Sequence, residues 1–416
     1  MTEAGKQTVI IIGAGQAGGQ CAASLRRLGW SGRIVLAGAE PHPPYQRPPL
    51  SKAYLSGDID VDRLWLQPPD TWQEQNVELR LGVAATQIDR DSRIVTFSDG
   101  HIESFDYLVL ATGSRVRPLP VPGADLNAVR YLRTIADVDV LKEDFAPGKR
   151  IAIIGGGYIG LEAAAVAKKR GAEPIVIEAM DRLLARVAGP ELSDFYKSAH
   201  ESRGVEIRVD AMVDDLEGID GHVTGVGLAD GSHIPCDSAL IGIGVIPNQE
   251  LASDAGLETG NGICIDDHCR TSDLRIFAIG DCAEQDNWLY KRRMRLESVP
   301  NALEQAKHAA ASICDTTAPK PEIPWFWSDQ FDLKLQSAGI STSADLTVLR
   351  GSMQEDRFAL FHFRDGVLIA ADAINDPQSF MAAKLMIAQR ARPDANALAD
   401  PALGMRDVMK AALAAT

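Results

Sequence analysis

Apolar positions come in short β-branched runs that stop abruptly at glycine. Two segments repeat one pattern: Thr8–Leu28 reads TVIIIGAGQAGGQCAASLRRL and Arg150–Lys169 reads RIAIIGGGYIGLEAAAVAKK. A β-branched run favours strand and an alanine-rich run favours helix, so each segment predicts a strand, a glycine turn and a helix. Each is followed by a glycine and a second strand, at Arg33–Ala37 and Pro174–Ile177. The chain thus opens two β-α-β units, 142 residues apart by their first glycines.

Between the two units lies a strand-rich stretch that ends in Tyr107-Leu108-Val109-Leu110-Ala111-Thr112-Gly113. After the second, Ser238–Gly244 and Ile276–Asp281 predict further strands running into glycine turns. The proline-rich Thr316–Pro324 marks a boundary. Beyond it, Arg357–Ala371 alternates as strands with Asp365-Gly366 as a hairpin turn, and a helix is predicted from about Pro377 to Arg390. The tail therefore reads as a small α+β domain.

A length of 416 residues exceeds one ordinary core and predicts two or three domains. The formal charge of −15 argues against nucleic acid or an anionic membrane as the main partner. The apolar runs meet glycines too soon for a signal segment or a membrane span. The six cysteines, Cys21, Cys236, Cys264, Cys269, Cys282 and Cys314, include no C-x-x-C pair. They are expected to be reduced structural thiols in a cytoplasmic protein. The eight histidines form no cluster with them, and no metal is expected.

Each glycine turn is a fingerprint. In Gly13-x-Gly15-x-x-Gly18 the first glycine permits the tight turn, the second admits a pyrophosphate and the third lets helix and strand pack closely. The helix N-terminus then offers unpaired N–H groups to phosphate. Glu40, 27 residues after Gly13, stands where a carboxylate meets ribose hydroxyls. Gly155-x-Gly157-x-x-Gly160 repeats the pattern, with Glu178 ending its second strand. A carboxylate there accepts from a 2′-hydroxyl and repels a 2′-phosphate, which predicts NADH over NADPH; Arg182 is the nearby cation that could soften that choice. Two dinucleotides in one chain point to FAD and a nicotinamide, the pair between which hydride moves.

Tyr45-Gln46-Arg47-Pro48-Pro49-Leu50-Ser51-Lys52, Glu297-Ser298-Val299-Pro300-Asn301-Ala302 and Trp325-Phe326-Trp327-Ser328-Asp329-Gln330 carry a more specific signal. Together with Thr112-Gly113 and Gly280-Asp281 they resemble the ferredoxin reductases of bacterial cytochrome P450 and aromatic-ring dioxygenase systems. That resemblance implies the glutathione-reductase type of α/β fold, with two Rossmann-like dinucleotide-binding domains and a C-terminal α+β domain. The divisions expected are an FAD domain at 1–114 and 245–322, an NAD domain at 115–244, and a C-terminal domain at 323–416.

The resemblance also implies roles. Lys52 would stand near flavin N5, paired with Glu162, and Asp281 would bond the ribityl chain. Trp325 or Trp327 would cover the ring edge. Arg47, Thr112, Gly113, Tyr158, Ile159, Arg186, Gly244, Gly280, Val299 and Trp327 would contact the cofactors. The run Lys291-Arg292-Arg293-Met294-Arg295 places four cations in five residues just before the Glu297–Asn301 stretch. A basic rim there would steer an acidic 2Fe–2S ferredoxin. The activity implied is NADH:ferredoxin oxidoreduction. The rivals are a rubredoxin reductase, an NADH oxidase or disulfide reductase of the same fold, and a non-catalytic NADH-binding flavoprotein. No cysteine lies near Pro48–Leu55, where disulfide reductases of this architecture carry their redox pair.

Overall fold

The computed structural model describes residues 7–415. The chain forms two compact units. The first takes the chain up to Arg47, then Val61–Arg115 and Val245–Glu322; the second takes Pro48–Asp60, Val116–Gly244 and Ile323 onward. Pro48–Asp60, expected within the first domain, packs with the second unit. Ser51 reaches Glu162, Tyr54 donates to Asp139, and Arg170 donates to the Ser56 carbonyl.

In the first unit, five parallel strands run in the order Ile276–Ala278, Tyr107–Leu110, Thr8–Ile12, Arg33–Gly38, Val77–Leu81. The central strand is buried on both faces, which is why it reads as a continuous apolar run without alternation. The helix Gln16–Arg27 follows it and packs against the helix Val299–Ile313. Small residues at Ala17, Gly18, Cys21 and Ala22 are buried on the first helix, and Ala302, Ala306, Ala309 and Ala310 on the other.

The second unit holds a like sheet, Glu206–Arg208, Glu173–Ile177, Arg150–Ile154, Ser238–Ile241, Val129–Tyr131, again parallel. Its helix Tyr158–Lys169 follows the second glycine turn. The C-terminal sheet is antiparallel, in the order Trp325–Gln330, Leu333–Gly339, Val367–Ile374, Arg357–Arg364, Leu346–Ser352. The Asp365-Gly366 turn has φ of 51° and 74°, the left-handed pair that a two-residue hairpin needs. The helix Pro377–Ala388 covers this sheet, capped by Asp376. The alternation over 357–371 foretold two of these strands. The other three, of six or seven residues, are mixed in polarity, and only their pairing defines them. Among the described residues no helix is long and apolar enough to cross a membrane.

The glycine turns hold the parallel sheets and helices together. Gly13 and Gly155 both have φ of +113°, and a Cβ at Gly18 or Gly160 would strike the carbonyl oxygen of Gly13 or Gly155. Gly18→Ala should therefore push the helix off the sheet and cost about 1–3 kcal/mol, lowering the urea midpoint followed by tryptophan fluorescence. Gly157 faces open space, so Gly157→Ala should cost less than about 1 kcal/mol. Equal midpoints for the two variants would refute this account of the turns.

Candidate functional site

Both fingerprints build the same cradle. Gly15 and Gly157 are the N-cap residues of their helices, extended in backbone and without a capping side chain. A Cβ at either would meet nothing within 4 Å. The first-turn N–H groups of each helix are thus open to a phosphate, with the positive end of the helix dipole behind them. The residues present fit two dinucleotides.

The carboxylates beside the two cradles differ. Glu178 accepts from the Gly156 N–H at 2.7 Å and the Met180 N–H at 2.8 Å, so backbone alone aims it. Glu40 is gripped by side chains, with the Tyr45 hydroxyl at 2.6 Å and the Arg47 guanidinium at 2.6 Å. Tyr45 is buried and stands edge-on to Trp65. Burial works against the Arg47 charge, but Tyr45, Glu40 and Asp281 outweigh it and hold its pKa above the usual value. Each carboxylate oxygen keeps a further lone pair for a ribose hydroxyl.

The rest of the first site assembles around Asp281. Its carboxylate accepts from Ser114 at 3.1 Å, and its carbonyl accepts from Arg295 at 3.0 Å. Gly280 (φ +78°) is held by its N–H donating to Gln305, a buried residue that the sequence reading passed over. Thr112 and Gly113 are tied to Asn248 by three bonds, Thr112 Oγ1 to its carbonyl, its side-chain amide to the Thr112 carbonyl, and its N–H to the Gly113 carbonyl. Val299 and Pro300 open the helix capped by Ser298.

In the second unit Lys52 meets Glu162 at 2.7 Å, with Lys52 18% and Glu162 5% exposed at their side chains. Ser51 donates to the same carboxylate oxygen and Ser328 to the other, the latter at 2.6 Å. Tyr158 packs edge-on to Phe326 at 4.8 Å between ring centroids, and Ile159 is exposed. The Arg186 guanidinium covers Gly244, whose φ of +104° and lack of a Cβ admit it. Arg182 does not face outward as a rescuing cation. Its guanidinium donates to the carbonyls of Ala188 and Ala185 and to Ser193, so it braces its own loop. On the strand Trp325–Gln330, Trp327 is half-buried and leans on Trp325, over which Lys384 sits.

The basic run is a hairpin. The strands Ala283–Asn287 and Arg292–Met294 pair across a turn that the Asn287 side chain caps. Lys291 and Arg292 are exposed and make no ion pair among the described residues, and Arg293 lies 3.6 Å from Asp286 and 3.9 Å from Glu258. Arg295 departs from the expected rim. Its side chain is 8% exposed, pairs with Glu297 and donates to the Asp281 carbonyl. The hairpin offers three outward cations, not four.

All six cysteines are free thiols, five buried and Cys314 half-buried. Burial raises the Cys21 thiol to about 12 and Cys236 to about 11, and it pushes Cys269 well up. Among the described residues no group of His, Cys, Asp and Glu could hold a metal ion.

Comparison with known proteins bears on this geometry. The family described as pyridine nucleotide-disulphide oxidoreductase matches residues 7–306, and the reductase C-terminal family matches residues 325–409. The chain is 47% identical to a probable ferredoxin reductase of Castellaniella defragrans, covering 95% of this chain and 97% of that one. It is 42% identical to putidaredoxin reductase of Pseudomonas putida, over 98% of this chain and 97% of that one. The structure superposes on the reductase of a covalent putidaredoxin reductase–putidaredoxin complex with a TM-score of 0.96, at 41% identity, covering 98% and 99% of the two chains.

Two outcomes are expected. Iodoacetamide at pH 8 should label at most Cys314 in the native protein and leave turnover intact. Rapid loss of two thiols together with activity would reinstate a disulfide mechanism. NADH should be preferred to NADPH. Like charges at about 4 Å repel by roughly 4 kcal/mol at an effective dielectric of about 20. Screening and movement leave about 2 kcal/mol, about thirtyfold in kcat/KM. Equal kcat/KM for the two nucleotides would remove Glu178 from the ribose site.

Proposed function

The chain belongs to the pyridine nucleotide-disulphide oxidoreductase family and carries a reductase C-terminal domain; from that premise we propose that it takes hydride from NADH and passes electrons to a small 2Fe–2S ferredoxin serving a cytochrome P450 or a Rieske-type oxygenase. FAD, when bound, supplies the conversion from a two-electron donor to a one-electron acceptor. One observation carries the reading. The chain has two nucleotide cradles, and where a disulfide reductase would carry a thiol pair it has Ser51 and Lys52 bound to Glu162. The active site is thereby equipped to steady charge on a flavin and has no thiol to oxidise.

The residues divide as follows. Gly13, Gly15 and Gly18 leave room for the FAD pyrophosphate, and Glu40, oriented by Tyr45 and Arg47, takes the adenosine ribose. Asp281, Thr112, Gly113, Gly280 and Val299 line the remainder of the FAD site. Gly155, Gly157 and Gly160 leave room for the NADH pyrophosphate, Glu178 takes its ribose, and Tyr158, Ile159, Arg186 and Gly244 line the nicotinamide nucleotide. Lys52 presents a cation to the reactive edge of the flavin, where it stabilises the anionic reduced ring, and Trp327 excludes water there. By function the chain divides into FAD at 1–114 and 245–322, NAD at 115–244 and a C-terminal domain at 323–416, with Pro48–Asp60 serving the flavin although it packs with the second unit. Unbridged buried thiols suit the cytoplasm.

Lys291, Arg292 and Arg293 form the dock for the acidic ferredoxin. The test is NADH-driven cytochrome c reduction with and without an added 2Fe–2S ferredoxin. Turnover should depend on the ferredoxin, and full activity without it would leave a plain NADH oxidase or diaphorase. Replacing Lys291 and Arg292 together by Ala should raise the KM for ferredoxin several-fold and flatten its salt dependence, since rim charges act on encounter. The Debye length falls from about 10 Å at 0.1 M salt to about 3 Å at 1 M, so the wild type should lose more to salt than the variant. Arg295→Ala should behave differently, lowering FAD content because it strips Glu297 and the Asp281 carbonyl of their donor. Unchanged ferredoxin kinetics in the double variant would move the dock elsewhere.

A further inference from the structure

Glu162 ends a chain of buried polar side chains that the proposed reaction does not by itself require. Its Oε1 accepts from Ser328 at 2.6 Å. Ser328 in turn lies 3.1 Å from the Gln330 amide nitrogen, and the Gln330 oxygen lies 2.8 Å from Nε2 of His200. Ser328, Gln330 and His200 are each fully buried. They come from separate segments, the C-terminal strand Trp325–Gln330 and the helix Pro190–Ser202, and reach a carboxylate on the helix Tyr158–Lys169. All belong to the same compact unit.

The direction of every proton follows from the end of the chain. An ionised carboxylate only accepts, so Ser328 must spend its one proton on Glu162. Its oxygen then needs a donor, which fixes the Gln330 nitrogen toward Ser328. The Gln330 oxygen therefore faces His200, which must carry its proton on Nε2. That leaves Nδ1 bare, and Nδ1 is buried without a partner. A buried, unmet acceptor is unfavourable, so the rest of the chain must hold the ring in this orientation. The imidazole is also held neutral. Burial lowers its pKa, the bond to Gln330 opposes this, and nearby Arg203 adds to the lowering, with a result of about 4.

We infer that Ser328, Gln330 and His200 form a one-way donor chain that holds the Glu162 carboxylate in place and so positions Lys52, with Ser328 as the decisive positioning residue. The Lys52 ammonium pairs with Oε2 of Glu162, the oxygen to which Ser51 also donates, and it lies 3.4 Å from the Pro48 carbonyl. Oε1 is left to Ser328. Without that hydroxyl the carboxylate can rotate and carry the ammonium with it. The C-terminal strand thus does more than cover a surface. Its inward polar positions set the geometry of the Lys52–Glu162 pair.

The inference rests on the reading of Lys52 as the cation at the flavin, and the experiment separates the two. The midpoint potential of the bound flavin is measured by dye equilibration in wild type, Ser328→Ala, Ser328→Thr, Lys52→Met and the Lys52→Met/Ser328→Ala double variant. Ser328→Ala should weaken the preference for reduced flavin threefold to tenfold, a fall of about 14 to 30 mV for a two-electron couple. Ser328→Thr, which keeps the hydroxyl, should restore it. The double variant should match Lys52→Met alone, because the effect passes through Lys52. A shift in Lys52→Met with none in Ser328→Ala, or additive shifts in the double variant, overturns the inference. No shift in Lys52→Met overturns the reading of Lys52 itself. A second measurement needs no variant to fold. Nitrogen-15 NMR of the wild type should show His200 as the neutral Nε2–H tautomer from about pH 5.5 to 8. An Nδ1–H ring, or titration near 6.5, reverses the chain and defeats the proposal.

Discussion

Glu162 is a charged group 4% exposed, on a helix whose other inward residues are glycine, alanine, leucine and valine. A buried carboxylate is tolerated only when its oxygens are fully met. Three donors meet this one: Ser51, Lys52 and Ser328. To supply them the second unit must gather Pro48–Asp60 from the N-terminal part of the sequence and the strand Trp325–Gln330 from the C-terminal part. Removing any donor leaves part of a charge unpaired inside the protein, which usually costs more than the bond itself. The assembly of three distant segments and the placement of the lysine are therefore one constraint.

The two dinucleotide cradles share a first-glycine conformation, with Gly13 and Gly155 both at φ +113°, yet their carboxylates are held by different means. Backbone N–H groups aim Glu178, and its position follows the strand that carries it. Glu40 is aimed by Tyr45 and Arg47, side chains that also belong to the stretch leading into Ser51 and Lys52. Glu40 thus depends on the ordering of neighbouring side chains, whereas Glu178 depends on local backbone alone.

The strand Trp325–Gln330 has two chemistries because successive side chains point to opposite faces. Phe326, Ser328 and Gln330 turn toward the second dinucleotide fold, where they meet Tyr158, Glu162 and His200. Trp325 and Trp327 turn the other way, with Trp325 against Phe380 and under Lys384. Reading the six residues as an aromatic cover accounts for one face. The other carries Ser328 and Gln330 beside Phe326, and these two polar groups are buried because each finds a partner within the unit.

Both β-α-β openings, their glycine roles and the carboxylates after their second strands were legible in the sequence, since they depend on local backbone sterics and on spacing along one chain. The ferredoxin-reductase resemblance was legible in three short runs for a related reason, that a dense set of special residues has few other uses. The C-terminal strands other than Arg357–Arg364 and Val367–Ile374 were not, because strands of mixed polarity are defined by their neighbours. Nor was the inward turn of Arg295. A run of four cations reads the same whether its last member faces water or a backbone carbonyl, and only the fold brings Asp281 beneath it. Arg182 was ambiguous in the same way until its loop closed around it. His200 and Gln330 carry no spacing signal at all, being 130 residues apart at the ends of their shared bond. Local geometry is written in neighbouring residues, but which buried polar groups satisfy one another is decided only when the tertiary structure excludes water from them.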